Sequence, residues 1–202
     1  MSAAKSHVTW VIWPLWATAT TFGVVLGFAL SFAIIAAGKL AIRGLNEDRV
    51  MGYVLAPALG IGLAVLQWLI LRQHIATARW WIFATLGGWL LAYGVLQFAT
   101  GSASALTAWA AQTDTTIYSV VIMLALGLSL GVVQWLVLRV HIKWASAWIL
   151  ASMIGFALTG AALGKSIDRN EDIVALGAIP GFITGLALFL LLQRPRAVQV
   201  VR

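Results

Sequence analysis

The chain has 202 residues, of which 62% are hydrophobic and only 9% are charged. Soluble domains carry about 25% charged residues, so this composition argues against a water-soluble fold and indicates an integral membrane protein. The formal net charge is +7, but the basic residues stand singly at the ends of apolar runs, which argues against nucleic acid as a partner. The absence of cysteine excludes disulfides, iron–sulfur clusters and thiol catalysis.

Six apolar stretches of spanning length follow one another, since a helix needs about 20 residues to cross a bilayer. They lie near residues 15–38, 50–72, 79–100, 114–139, 144–164 and 173–193. The first is too long for a signal peptide, and Trp10, Trp13 and Trp16 have a spacing typical of the membrane–water interface. We therefore predict an all-α membrane protein with six transmembrane helices in a single domain, residues 1–202.

Internal similarity predicts three copies of one helical hairpin. Residues 60–75 match residues 127–142 without a gap, and both contain the pattern Gly-x6-Gln-Trp-Leu-x-Leu-Arg. Residues 27–31 resemble residues 155–159. The sixth stretch is a degenerate version of the second and fourth, and we expect an apolar Leu or Phe where those carry glutamine. The predicted hairpins span about 8–75, 76–142 and 143–196 and form a bundle with pseudo-threefold symmetry.

Two kinds of residue mark the predicted packing stripes. Small residues recur every four positions in the odd-numbered stretches, so we expect a glycine zipper with Gly27, Gly88 and Gly155 at helix crossings. The even-numbered stretches carry Gln67 and Gln134, and an amide in hydrocarbon must be hydrogen-bonded. These amides either bond to a neighbouring helix, which we favour, or line a solute path.

Residues at the ends of the second and fourth stretches are candidates for binding or anchoring. His74 and His141 occupy equivalent positions, and a symmetric pair of histidines could ligate haem or the magnesium of a chlorophyll-type pigment. Their position beside the headgroups favours interfacial anchoring, so we assign no cofactor and no metal. Arg72 and Arg139 each follow a tryptophan by four residues, which permits cation–π stacking, but we favour simple interfacial snorkelling.

Acidic residues lie between the predicted spans. Asn46-Glu47-Asp48 and Asn170-Glu171-Asp172 could hold a cation together with Asp114, but such residues before a helix are usually N-caps, which we favour. No acidic residue lies inside a predicted span, which argues against proton or sodium coupling. No nucleotide-binding, zinc-protease or catalytic-triad pattern occurs, so we assign no catalytic residue.

Orientation follows from the loops. With the N-terminus inside, eight Lys and Arg residues fall on the inner side and five on the outer side. The positive-inside rule therefore places both termini in the cytoplasm. The hairpin pattern resembles uncharacterised bacterial multi-pass membrane proteins, and the resemblance implies a bacterial cytoplasmic membrane without implying an activity.

For function, we expect a non-enzymatic accessory or interaction subunit. Its tryptophan- and leucine-rich outer face would pack against membrane lipids, other membrane-protein subunits or pigments. A channel or transporter for a small neutral solute is the alternative, because repeats commonly build a path at their interface. Binding of haem or chlorophyll through the two histidines is the third hypothesis.

Overall fold

A computed structural model describes residues 9–41, 47–102, 113–164 and 170–193 of the chain, which form helices and no strand. The helices are α1 (Ile12–Ala41), α2 (Glu47–Leu71), α3 (Arg79–Ser102), α4 (Thr115–Leu138), α5 (Ala147–Leu163) and α6 (Asn170–Leu192). The predicted all-α class with six helices is confirmed. Among the described residues, α1, α4 and long parts of α2 and α6 are apolar enough to cross a membrane, while α5 is apolar but has only 17 residues.

Local sequence sets several of the helix ends. Pro14 lies in the first turn of α1, where its missing N–H would have no helical partner anyway. The side chain of Asp114 caps α4, because its Oδ1 accepts from the backbone N–H of Thr116 at 2.8 Å and of Ile117 at 3.3 Å. The capping interpretation is confirmed for Asp114. Asn46 and the side chains of residues 47, 48, 170 and 171 lie outside the described part of the structure.

The six helices close into a ring. Each helix packs against the next along the chain, and α6 returns to pack against α1. Two buried clusters fill the interior, one at the end where α1 begins and one further along the bundle. The first centres on Trp16, Trp81, Trp148, Leu71, Leu138 and Leu188, and the second on Val24, Leu59, Leu63, Trp89, Leu130, Phe156 and Leu176.

Helix backbones approach closely at glycines of α1, α3 and α5. A Cβ added to Gly88 would lie 3.0 Å from the Cα of Leu130 on α4. A Cβ added to Gly27 would lie 2.6 Å from the Cα of Leu59 on α2. A Cβ added to Gly155 would lie 2.9 Å from the Cα of Pro180 on α6. These separations leave no room for a side chain at the three crossings.

Gly88→Ala should lower the free energy of unfolding by about 1–3 kcal/mol, because the new methyl group meets a backbone that cannot move aside. The adjacent Gly87 is the matched control, since a Cβ added there has no neighbour within 4 Å. Gly87→Ala should be neutral or stabilising by up to about 1 kcal/mol, because alanine favours the helix. Thermal unfolding in detergent compares the two variants, and equal destabilisation of both would contradict the close crossing.

Candidate functional site

Three tryptophans meet inside the bundle, at the end where α1 begins. Trp16 comes from α1, Trp81 from α3 and Trp148 from α5, and each is at most 1% exposed. Their ring centroids form a nearly equilateral triangle with sides of 5.5, 5.6 and 5.8 Å, and the rings pack edge to face. Such contacts add to the stabilisation that apolar burial provides. Trp16 thus faces the bundle interior, and the interfacial depth expected for Trp10, Trp13 and Trp16 stays a prediction.

Gln67 connects two neighbouring helices through both ends of its amide. Its Oε1 accepts from the indole N–H of Trp81 on α3 at 3.0 Å, and its Nε2 donates to Thr20 Oγ1 on α1 at 3.0 Å. Thr20 in turn donates to the Trp16 carbonyl at 2.8 Å. The buried amide of α2 is thereby hydrogen-bonded to the helix before it and to the helix after it.

Gln134 on α4 makes the corresponding pair of bonds. Its Oε1 accepts from the indole N–H of Trp148 on α5 at 3.0 Å, and its Nε2 donates to Thr85 Oγ1 on α3 at 3.0 Å. The side chain is buried, with only 5% exposure. Both glutamines therefore bond to protein groups on the helices that flank them.

Thr184 on α6 accepts the third indole proton and corrects the expectation of an apolar Leu or Phe at this depth. The indole N–H of Trp16 donates to Thr184 Oγ1 at 3.1 Å, and Thr184 donates to the Pro180 carbonyl at 2.6 Å. The indoles of Trp16, Trp81 and Trp148 thus each have an acceptor on an even-numbered helix. We call this set the axial network: Trp16, Thr20, Gln67, Trp81, Thr85, Gln134, Trp148 and Thr184.

The sequence contains a signal for Thr184 when α6 is aligned with α2 through a different set of residues. Residues 175–177 read Ala-Leu-Gly, as do residues 58–60, and this alignment places Thr184 opposite Gln67. The same register places Leu188 opposite Leu71, and both side chains are fully buried. The glutamine and tryptophan of the repeated pattern do not mark this register in α6, because α6 contains neither residue.

A cavity of about 30 Å³ lies beside the axial network. Its polar lining comes from Thr20, Gln67, Thr85, Gln134, Ser152 and Thr184. Trp89 lies on the wall, together with apolar side chains that include Phe156. Among the described groups, Ser152 Oγ and Trp89 Nε1 are buried and have no hydrogen-bond partner.

The two candidate cofactor-binding histidines lie apart from this cavity. Nδ1 of His74 lies 3.2 Å from the carbonyl of Ile70, and His74 is exposed. Nε2 of His141 lies 3.4 Å from Thr77 Oγ1. Among the described residues, no group of three or more His, Cys, Asp or Glu side chains is placed to hold a metal ion. Haem or pigment ligation by these histidines stays a prediction.

The two arginines stack on their tryptophans, and their snorkelling at the membrane interface stays a prediction. The guanidinium carbon of Arg72 lies 5.1 Å from the ring centroid of Trp68, and that of Arg139 lies 5.1 Å from the ring centroid of Trp135. The physical reason is the spacing of four residues, which places each pair on one helix face. Stacking and anchoring at the membrane boundary are compatible, since the rings lie at the helix ends.

Comparison with protein-family models, with curated proteins and with solved structures gave no match. The axial network and its cavity are therefore the features from which function has to be argued.

Gln67→Leu should lower the free energy of unfolding by about 0.6–2 kcal/mol, because the Trp81 N–H and the Thr20 hydroxyl both lose a partner. Trp81→Phe removes the N–H on the other side of the same bond. The double variant should therefore lose less stability than the sum of the two single losses. Unfolding in detergent measures the cycle, with the exposed Gln73→Leu as control. Strictly additive losses would contradict a coupled pair.

Proposed function

We propose that the chain is a non-enzymatic structural subunit of a membrane, with a closed interior and an outer face that packs against lipid and protein partners. The axial network carries the proposal. Trp16, Trp81 and Trp148 fill the axis at one end of the ring, and protein groups accept all three indole protons. A solute path needs polar groups that are free to bond the solute, whereas these amides and indoles are bonded to one another.

We propose in addition that three hairpins pack through glycine contacts around a pseudo-threefold axis. Contacts within the hairpins support it, because corresponding glycines of the odd helices lie against corresponding residues of the even helices. An added Cβ would lie within 3.0 Å of a backbone Cα in each pair: Gly23 with Leu63, Gly88 with Leu130, and Gly155 with Pro180. In this register Gly23 corresponds to Gly88 and Gly155, one helical turn from the Gly27 expected from the sequence.

Contacts between hairpins follow the same register. Glycines of the even helices lie against the next odd helix, with α6 packing on α1 in the last case. An added Cβ would lie within 3.3 Å of a backbone Cα in each pair: Gly60 with Leu86, Gly127 with Met153, and Gly177 with Thr21. Two independent sets of contacts with one register favour a repeated unit over a chance resemblance.

The chemistry of the interior supports a non-enzymatic role. The polar side chains of the axial network are hydroxyls, amides and indoles, and none of them titrates near neutral pH. General acid–base catalysis needs a group that exchanges a proton near the working pH. Asp172 is the buried carboxylate among the described residues, and it does not line the axial cavity.

The outer surface supports lipid and protein as the partners. Large apolar side chains face outwards along the helices, with Phe22 62% exposed, Phe83 64% exposed and Leu150 61% exposed. Such a surface is stable against hydrocarbon or another apolar helix and not against water. Near the α4–α5 turn, Arg139 and Lys143 line one hollow with two tryptophans, a combination suited to phospholipid headgroups.

Permeability of reconstituted vesicles tests the closed interior. The native protein should pass small neutral solutes no faster than protein-free vesicles, because the tryptophan triangle blocks the axis and the amides of Gln67 and Gln134 are bonded to protein groups. A pore-forming peptide serves as the positive control. A native flux that Gln67→Leu and Gln134→Leu both abolish, with unfolding unaffected, would assign the chain to the channel class instead.

Purification in mild detergent tests the partners. The protein should retain phospholipid or a protein partner and show no absorption in the visible range. A visible chromophore that is lost in His74→Ala or His141→Ala would favour the haem or chlorophyll hypothesis over the structural one.

We further propose that the membrane is a bacterial cytoplasmic membrane and that both termini lie inside. The start of α1, the turns after α2 and α4, and the end of α6 share one buried cluster, so they lie at one end of the bundle. The distribution of Lys and Arg favours the cytoplasm for that end.

Single cysteines test this orientation cleanly, because the chain has none of its own. In intact cells, a membrane-impermeant thiol reagent should label Glu47→Cys but not Ala76→Cys or Lys143→Cys. Labelling at positions 76 and 143 without labelling at position 47 would reverse the orientation.

A further inference from the structure

The wall of the axial cavity carries two polar groups that lack a protein partner. Ser152 is 2% exposed and Trp89 is 7% exposed, and neither Ser152 Oγ nor Trp89 Nε1 bonds to any described protein group. A buried donor without an acceptor is costly, so native proteins rarely leave one unpaired. Two such groups around one cavity point to a ligand that bonds both.

Ser152 lacks a partner because of a difference between the third predicted hairpin and the first two. Gln67 donates to Thr20 and Gln134 donates to Thr85, so the hydroxyl one turn beyond each of the first two buried tryptophans receives an amide proton. Ser152 occupies the corresponding place after Trp148. Thr184, the counterpart of the glutamines, is too short to extend past the Trp16 indole, and its hydroxyl proton goes to Pro180. Ser152 therefore accepts no hydrogen bond from α6.

Trp89 adds a donor that the other hairpins do not have. In the register set by the glycine contacts, Val24 and Phe156 are its counterparts, and neither side chain has a polar atom. The indole N–H can only donate, so the ligand must offer a lone pair. Ser152 Oγ can donate or accept, and the cavity lining holds no charged group. The ligand is accordingly neutral and an acceptor, and Ser152 Oγ allows it to donate as well.

We propose that the cavity is a binding site for water, in which one or two molecules replace the missing third amide. A cavity needs about 10–15 Å³ to hold one water, so about 30 Å³ admits one or two. One water accepts from Trp89 Nε1 and, directly or through the second, bonds Ser152 Oγ. The hydroxyls and amides of the axial network supply the remaining partners. The site requires only the observed geometry and is independent of the structural role proposed above.

Nuclear magnetic resonance of the native protein in detergent tests the site directly. With ¹⁵N-labelled indoles, water-selective cross-relaxation should give a signal at the Trp89 indole proton, identified by its loss in Trp89→Phe. The indole protons of Trp16 and Trp81 are the internal controls, because they are bonded to protein and do not line the cavity. They should give no signal. The absence of a water signal at the Trp89 indole proton would overturn the proposal.

Thr184→Gln supplies the third amide and should displace the water. Its Oε1 would accept from Trp16 and its Nε2 would donate to Ser152, as in the other two hairpins. The water signal at Trp89 should disappear while the indole resonance itself remains. Thr184→Ser keeps both the hydroxyl and the space and should retain the signal. An unchanged water signal in a folded Thr184→Gln variant would contradict the site, and if that variant does not fold, the comparison of indoles in the native protein decides.

Discussion

A polar hydrogen buried among helices in hydrocarbon needs an acceptor inside the molecule, because the surrounding lipid supplies none. The buried indoles of Trp16, Trp81 and Trp148 impose this requirement at three points around the bundle axis. Each acceptor comes from an even-numbered helix that also contacts the preceding odd helix. Satisfying the indoles therefore fixes which helices are neighbours as well as how deeply they pack. The dispersion forces between apolar helices would leave that order poorly determined.

Close backbone approach makes this hydrogen bonding geometrically possible. A glutamine amide reaches the helices on both sides only if the three axes lie near one another, and glycine at the crossings provides that proximity. Gly60 on α2 packs against α3, while Gly23 and Gly27 on α1 pack against α2, on the helix that carries Gln67. Larger residues at these crossings would separate the axes and lengthen the amide bonds. The glycines and the axial network thus depend on each other, although the glycines carry no polar side chain.

Sequence reasoning recovered the helices because long apolar runs have few alternatives in a membrane, and it identified Gln67 and Gln134 because an amide stands out in such a run. It did not predict that Trp16 faces inwards, since composition alone does not distinguish a lipid-facing indole from one whose N–H has a partner inside the bundle. The role of Thr184 was not predicted, for a related reason. A threonine in an apolar helix usually bonds its own backbone, and its role as an indole acceptor depends on α1, which is remote in the sequence.

The closure of the ring through α6 has a consequence for biosynthesis. The indole of Trp16 and the hydroxyl that accepts its proton are 168 positions apart, so α1 enters the membrane long before Thr184 has been synthesised. Until then the first helix carries a polar donor without this acceptor, and α1 and α6 cannot yet pack together. The order of synthesis therefore delays this contact, although the two helices are neighbours in the folded ring.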